Sequence, residues 1–423
     1  MAISLKLLKN SAKNTIIMKN LLLLFTLCIL ICSACQGPAT DNSTTEDAPK
    51  ETPKVEKVAN EKKKAEKPKP PIQLDKIKLP KGFKIELFAE SIKNARSLRR
   101  SEAGTIFVGS MRAGNVYALR DENQDFKAEK KFVIDKKLNR PNGVAYRDGS
   151  LYVAEISRIL RYDNIEKNMD KEPEPVVVYD EYPTEDHHGW KYINFGPDGK
   201  LYVPVGAPCN ICESEDPIFN TITRINPDGT DRQIIQTGIR NTVGFTWHPV
   251  TKELWFTDNG RDWMGDDIPG CELNHAPKDN MHFGYPYCHQ GNLPDPEFGE
   301  KRSCDEFTPP VQVLEAHVAP LGLEFYTGQQ FPDEYKNQII VAEHGSWNRE
   351  KKSGYRLMLA KLDGDKVVSY TPFAEGWLNH DTQEVWGRPV DLELLSDGSM
   401  LVSDDYADVV YRISYSDSAP GTK

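Results

Sequence analysis

The chain has 423 residues and a formal net charge of −10, with 53 Lys and Arg residues against 63 Asp and Glu residues. This negative charge argues against nucleic acid or an anionic lipid surface as the main partner, because both attract basic proteins. A small neutral or cationic ligand, or a polyol, is expected instead, and the length allows one large domain or two smaller ones.

The N-terminus has the features of a bacterial lipoprotein signal peptide. Lys19 precedes an apolar run from Leu21 to Ile31, which is shorter than the roughly 20 residues that a membrane-spanning helix needs. Small residues then lead to Cys35. The sequence predicts a signal peptide over residues 1–35 with Cys35 lipidated, which would place the protein at the periplasmic face of a membrane or at the cell surface.

The next segment, residues 36–75, is rich in Lys, Glu, Pro, Thr and Ala and almost free of large apolar residues. Such a composition cannot bury enough surface to fold, so a disordered tether between the lipid anchor and a domain is predicted. The last residues, 417–423, are predicted to form a disordered tail.

Residues 76–416 contain a repeated pattern: a turn pair, an alternating strand, a short turn and a second strand. The spacing of the copies, about 45 to 85 residues, favours propeller blades with insertions over a sandwich of evenly spaced strands. The sequence therefore predicts an all-β, six-bladed β-propeller, with the early strand Phe83–Phe88 completing the last blade. The six copies begin near Ala103, Asp148, Asp198, Lys252, Asn337 and Asp397.

Two adjacent histidines, His187 and His188, stand just ahead of the third strand pair. A neutral imidazole accepts a proton near physiological pH, so either residue is a candidate general base. A His pair at the end of a loop is also compatible with an ordinary surface turn.

Other polar loops are candidates because a propeller gathers its connecting loops at one end of a central channel. Each of them also has a plain structural explanation, such as a capped turn, a solvated acidic loop or a packed Trp. These candidate loops are Arg240–Asn241, Asp258–Asp267, His344–Arg349 and Trp386–Asp391.

The runs Thr237–Phe245 and Leu254–Gly260 form two motifs that follow one another in the chain. They resemble the quinoprotein aldose sugar dehydrogenases in general. The match covers essentially the whole predicted domain. Four further phrases resemble the L-sorbosone dehydrogenase branch: His188–Lys191, Gly206–Asn210, Ala319–Tyr326 and His344–Arg349.

The resemblance implies a six-bladed propeller that binds pyrroloquinoline quinone and a calcium ion in the mouth of its channel. His188 would be the base that takes the proton of the sugar hydroxyl. The cofactor is a flat tricarboxylate, so cations and aromatic faces suit it. The implied cofactor residues are Arg240, Asn241, Arg349, Arg388, Trp190 and Trp347, and the implied calcium ligands are the main-chain carbonyls of Gly260 and Arg261.

One position departs from the soluble glucose dehydrogenases of this superfamily. Where they carry an aspartate that orients the catalytic histidine, this chain has Ala207. An orienting carboxylate fixes the tautomer of the imidazole and raises its basicity. His188 is therefore expected either to find another partner, with Asp186 and Glu185 as the candidates, or to work less well as a base.

The expected function is oxidation of a sugar or a sugar-derived aldehyde by hydride transfer to the quinone, with an external cytochrome or quinone as electron acceptor. Two other classes stay open: a tethered propeller that binds carbohydrate or protein without cofactor, and a calcium-dependent, lactonase-like hydrolase.

The mature chain carries an odd number of cysteines outside the lipid anchor, so at least one thiol is unpaired. Cys209 and Cys212 are expected to form a local disulfide, with a zinc half-site or a redox pair as alternatives. The other three are Cys271, Cys288 and Cys304.

Overall fold

The computed structural model of the chain describes residues 69–417. Its strands form six large sheets, and the first strands of neighbouring sheets pack beside one another around a common channel. Five of these sheets have four strands, and the third gains a short fifth strand. The fold is the six-bladed β-propeller that the repeats predicted.

We number the blades from the sheet that starts at Ala95. In chain order, the strands are β1 (Phe83–Glu90), which completes blade 6; β2 (Ala95–Arg100), β3 (Ile106–Ser110), β4 (Val116–Arg120) and β5 (Lys130–Asp135) of blade 1; β6 (Gly143–Arg147), β7 (Ser150–Ala154), β8 (Ile159–Tyr162) and β9 (Val176–Tyr179) of blade 2; β10 (Asn194–Phe195), β11 (Leu201–Val205), β12 (Thr221–Ile225) and β13 (Gln233–Thr237) of blade 3; β14 (Phe245–Trp247), β15 (Leu254–Asp258) and β16 (Gly270–Ala276) of blade 4; β17 (Met281–His282), which adds to blade 3; the small hairpin β18 (Cys288–His289) and β19 (Leu293–Pro294); β20 (Gln312–Ala316) of blade 4; β21 (Pro320–Phe325), β22 (Ile339–Glu343), β23 (Arg356–Asp363) and β24 (Lys366–Glu375) of blade 5; and β25 (Pro389–Leu394), β26 (Met400–Asp404) and β27 (Val409–Tyr415) of blade 6.

Helical structure is a minor part of the described residues. No helix among them is both long and apolar enough to cross a membrane. The helical segments are α1 (Ile165–Asn168) and the 3-10 turns Leu74–Lys76, Cys304–Glu306 and Asp333–Tyr335.

Strand β1 closes the ring, as the sequence predicted. It pairs antiparallel with β27 in a register that runs from Phe83 opposite Tyr415 to Glu90 opposite Val409. The first and last strands of the domain thus share blade 6. This pairing covers an edge of β27 that would otherwise expose unpaired backbone groups.

The apolar core lies between adjacent blades, because each strand alternates its side chains between the two faces of its sheet. Leu98 and Val108 of blade 1, for example, pack in one cluster with Leu401 and Val410 of blade 6. Equivalent clusters fill the other blade interfaces. These layers fix the blades and hence the positions of the loops at their ends.

The folded part begins earlier than the predicted boundary at Lys76. Ile72 and Leu74 pack against the apolar cluster of blades 5 and 6. The backbone N–H of Lys78 donates to the carbonyl of Glu375 at 2.7 Å. The last residues of the predicted tether, from residue 69 onward, therefore contact the propeller.

The predicted signal peptide (1–35), the lipidation site Cys35 and most of the tether lie outside the described residues, as does most of the predicted tail after Asp417. They remain predictions from the sequence.

Two disulfides resolve the odd cysteine count. Cys209 pairs with Cys212, and Cys288 pairs with Cys304. Cys271 is a buried free thiol. The pair Cys209–Cys212 is therefore the local disulfide that the sequence predicted.

Replacing Cys288 and Cys304 together by serine is expected to lower the free energy of unfolding by about 3 kcal/mol, because the bridge restricts the unfolded chain. Urea unfolding of the two proteins measures the difference. The matched Cys209→Ser/Cys212→Ser variant should lose less, since its cysteines are 3 residues apart instead of 16. Equal losses in both variants would contradict the loop-length argument.

Candidate active site at the mouth of the propeller

The loops that precede the first strand of each blade, and those between its second and third strands, lie at the same end of the sheet because the strands are antiparallel. We call this end the mouth. All the site residues predicted in the folded domain lie in such loops: Trp190 and His188 before β10, Arg240 and Asn241 before β14, Gly260 and Arg261 after β15, Trp347 and Arg349 after β22, and Arg388 before β25.

His188 is buried, with 9% of its surface exposed. Its Nδ1 lies 2.9 Å from the carbonyl oxygen of Ala207. A carbonyl only accepts hydrogen bonds, so this contact assigns the proton to Nδ1. The other ring nitrogen, Nε2, is left with a lone pair and can act as a proton acceptor.

The main chain of Ala207, rather than a nearby carboxylate, orients the imidazole. The predicted partner Asp186 instead binds Arg140 at 2.9 Å, and Glu185 makes no hydrogen bond to the ring. Gly206 permits the close approach, because a Cβ at this position would lie 2.7 Å from the Cβ of His188. The expectation of a carboxylate partner was therefore wrong.

The electrostatic surroundings keep His188 neutral. Burial lowers the pKa of the imidazole well below its ordinary value of 6.5, and the positive charge of Arg240 and the neighbouring His187 lower it further. The His187 ring centroid lies 4.1 Å away. At neutral pH, His188 is thus in the form that a general base requires.

Arg240 is buried, with 4% of its surface exposed, and is held by the protein itself. Its guanidinium donates to both oxygens of Asn210, at 2.9 Å and 2.8 Å, to the carbonyl of Asn259 and to Asp262. Such a fixed guanidinium supplies positive potential at the mouth without having to be ordered by a ligand.

Asp258 anchors the loop that carries Arg240 and Asn241. Its two carboxylate oxygens accept the backbone N–H groups of Arg240 at 2.8 Å and of Asn241 at 2.6 Å. Burial raises the pKa of Asp258 above its ordinary value. The side-chain amide of Asn241 makes no hydrogen bond within residues 69–417, which leaves it available to a ligand.

The main-chain carbonyls of Gly260 and Arg261 accept no hydrogen bond from any described residue. The side chain of Arg261 is fixed below them, donating to Asp295 at 2.6 Å and to Glu297. Two adjacent free carbonyls on an immobilised turn are suitable ligands for a hard cation such as calcium.

The guanidinium of Arg388 has no hydrogen-bond acceptor among residues 69–417, and its Nε is buried. It stacks over the ring of Tyr406 at 5.1 Å. It also lines a cavity of about 900 Å³ together with Lys352 and Tyr355. A half-buried guanidinium with a buried Nε and no hydrogen-bond acceptor is suited to an anionic ligand.

Arg349, the other predicted cofactor arginine of this face, is already paired. Its terminal nitrogens bind Glu315 at 2.7 Å and Asp267 at 2.9 Å, so it ties neighbouring loops together instead of presenting a free cation. Lys352, Lys76 and Lys78, which no motif singled out, line the cavity together with Arg388.

The two predicted tryptophans also differ from each other. Trp190 packs against the apolar cluster of Val243, Leu321 and Val390. Trp347 instead exposes 70% of its surface.

A second polar network lies at the mouth, and the sequence predicted only one of its residues. His344 binds one oxygen of Asp405 at 2.9 Å, and Arg96 binds the other at 3.0 Å. Burial alone would raise the pKa of Asp405, but His344, Arg96 and Arg388 bring it below its ordinary range. His344 lay in a candidate loop, whereas Arg96 and Asp405 are 309 residues apart and meet only through ring closure.

Comparisons with known proteins place the chain in a family. The TrAA12-like family model matches residues 77–416. An uncharacterised protein of Borreliella burgdorferi is 34% identical over 353 residues, which cover 80% of this chain and 91% of that protein.

Solved structures give the same fold. The holo pyranose dehydrogenase PQQ domain of Coprinopsis cinerea is similar with a TM-score of 0.69 and 16% identity, covering 82% of this chain and 98% of that one. The PQQ-bound aldose sugar dehydrogenase of Streptomyces coelicolor is similar with a TM-score of 0.59 and 18% identity, covering 80% and 100%. At these identities the likeness establishes the architecture.

Proposed function

Because the chain belongs to the TrAA12-like family, we propose that it is a quinoprotein dehydrogenase that oxidises a sugar or a sugar-derived aldehyde. The family resemblance inferred from the motifs is thereby confirmed, and the L-sorbosone branch remains part of the proposal. The observation that carries the proposal is the combination of a neutral base, His188, with an unpaired guanidinium, Arg388, at the same mouth.

The residues present fit pyrroloquinoline quinone and calcium. Arg388 offers an unpaired guanidinium to a carboxylate, and the unpaired amide of Asn241 offers hydrogen bonds. The free carbonyls of Gly260 and Arg261 would hold the calcium ion. When bound, the quinone supplies a two-electron, hydride-accepting group that no amino acid side chain provides.

The proton chemistry belongs to His188. Its Nε2 accepts the proton of the hydroxyl group on the carbon that is oxidised, while the Nδ1–H stays on the carbonyl of Ala207. That carbonyl holds the ring in place as the imidazolium forms, although a neutral acceptor stabilises it less than a carboxylate would. The electrons then leave to an external cytochrome or quinone.

The carboxylates of the mouth favour the dehydrogenase over the lactonase alternative. Such an enzyme would direct free carboxylates at its metal ion. Asp258 is instead engaged by two backbone amides, and Asp405 by His344 and Arg96.

The test is titration of the full-length, calcium-loaded chain with pyrroloquinoline quinone, followed by reduction of an artificial dye across a panel of aldoses and aldehydes. One-to-one binding with dye reduction supports the dehydrogenase function, and the compounds that reduce the dye indicate the class of its substrate. No binding to a folded chain would contradict it and favour a cofactor-free binding propeller.

The pH dependence follows from the pKa of His188, which lies well below 6.5. A lowered pKa keeps the imidazole neutral to lower pH, so kcat/KM should stay constant between about pH 7.5 and 6.5 and fall only below that range. Steady-state dye reduction at constant ionic strength measures the profile. A midpoint at or above 6.5 would contradict the assignment of His188 as the base.

We also infer that Cys35 carries a lipid that anchors the enzyme to a membrane. The predicted signal peptide ahead of it supports this proposal. Expression in a bacterial host followed by membrane fractionation should find the wild type in the membrane and Cys35→Ala in the soluble fraction. Equal distribution of the two proteins would exclude the anchor.

A further inference from the structure

Two exposed tryptophans form a corner at the rim of the mouth. Trp263, after β15, and Trp347, after β22, each expose 70% of their surface. Their ring centroids are 5.5 Å apart and their planes meet at 86°. We call this pair the aromatic corner. Exposing two indole rings side by side is unfavourable in water unless a ligand covers them.

The corner is held by bonds between the two loops that carry it. Asn348 donates to Asp262 at 2.9 Å, and the backbone N–H of Glu350 donates to Asp266 at 3.1 Å. Arg349 adds its bond to Asp267. These three bonds hold the two loops together, so the backbone that carries both rings is positioned before any ligand arrives.

The backbone of Trp263 has an unfavourable conformation. Its φ is +70°, in the left-handed region that bulky residues rarely adopt. Burial of the side chain does little to offset this conformational strain, since most of the ring is exposed. This conformation alone assigns no function, since Phe126 shares it, but at Trp263 it places an exposed ring beside a second one.

The aromatic corner adjoins the proposed cofactor site. Asp262 binds Asn348 of one loop through one carboxylate oxygen and Arg240 through the other. Trp263 follows directly in the chain, two residues after Arg261. A substrate whose reacting unit lies near His188 and the Gly260–Arg261 carbonyls can therefore extend over the rim onto the corner.

We propose that the aromatic corner binds a second sugar ring, so that the enzyme acts on the end of an oligosaccharide or polysaccharide. The idea rests on the proposed dehydrogenase function. The C–H face of a pyranose packs on one indole while its edge meets the other, and nearby carboxylates accept its hydroxyl groups. Perpendicular rings suit a small ring-shaped ligand better than a flat protein surface. Asp266 and Asp267 disfavour anionic lipid headgroups.

The test measures saccharide binding to the full-length chain without cofactor, by calorimetry. Maltotriose, cellotriose, mannotriose and xylotriose are each compared with their own monosaccharide. At least one trisaccharide should bind about tenfold more tightly than its monomer. The variants Trp263→Ala and Trp347→Ala should each reduce this gain to about twofold or less.

Phe126→Ala is the matched control, because Phe126 is also an exposed aromatic residue with a positive φ, but it lies between β4 and β5 at the opposite end of blade 1. It should retain the full gain. The proposal is overturned if no trisaccharide in the set binds better than its monomer, or if the gain survives both tryptophan variants.

A different result would reassign the corner to the electron acceptor. If the tryptophan variants slow reduction of a basic c-type cytochrome by the cofactor-loaded enzyme but leave saccharide binding unchanged, the second-sugar proposal is wrong. Failure of the dehydrogenase function is a separate outcome, in which no dye is reduced with any saccharide. In that case, saccharide binding to the cofactor-free chain still decides whether the corner holds a sugar ring.

Discussion

Replacing His188 by alanine is expected to lower kcat by about 10²–10⁴-fold, the range that a positioned general base contributes. Its Nε2 is the free nitrogen of a ring fixed through Nδ1 to Ala207. Binding of pyrroloquinoline quinone should be retained, because the proposed cofactor contacts are made by other residues. Dye reduction measures kcat, and fluorescence titration of the same preparation measures cofactor affinity.

His187→Ala is the control for this experiment. The two rings are in contact, with centroids 4.1 Å apart, but His187 makes no hydrogen bond in the described structure. The control should keep its turnover and show only a small upward shift in the pKa of His188, since His187 lowers that pKa less than burial and Arg240 do. Turnover retained in His188→Ala would remove His188 as the base.

Replacing Arg388 by glutamine is expected to weaken binding of pyrroloquinoline quinone by about 10–100-fold. A hydrogen bond to a charged group contributes about 1.5–3 kcal/mol, and each 1.4 kcal/mol is a tenfold change in affinity. The melting temperature of the cofactor-free chain should fall only slightly, because the guanidinium has no hydrogen-bond acceptor in the described residues and loses only its stacking on Tyr406 and its attraction to Asp405. Fluorescence titration in calcium and differential scanning fluorimetry give the two readouts.

Arg349→Gln tests the second arginine that the resemblance implied, which is already paired in the structure. Arg349 binds Glu315 and Asp267, and Asp267 is largely exposed to solvent. Such pairs contribute about 0–1 kcal/mol, so this variant should keep its cofactor affinity with at most a small loss of stability. A larger loss of affinity in Arg349→Gln than in Arg388→Gln would reverse the assignment.

The blades were predictable because their signal is local. Period-two alternation and turn residues recur within each hairpin, and every predicted hairpin copy falls on observed strands of its blade. The closing strand was predictable for the same reason, as Phe83–Phe88 alternates like the others. The start of the folded part was not, because Ile72 and Leu74 are two isolated apolar residues whose packing partners lie about 300 residues away.

At the site, motifs identified the loops but not the contacts within them. His188, Arg240, Asn241, Gly260 and Arg261 were named from short runs, and the structure brings them to one mouth. Which side chains already have a hydrogen-bond or ion-pair partner depends on the neighbours that folding brings to them.

The sequence by itself determined the propeller, its six repeats, its closing strand and the family, since each is written in short-range patterns or ordered motifs. Only the tertiary structure decided that a main-chain carbonyl orients His188, that Arg388 is unpaired while Arg349 is not, and that two tryptophans form a corner. The physical reason is that hydrogen-bond satisfaction and exposure depend on residues from different blades, which are distant in sequence and adjacent only after the ring has closed.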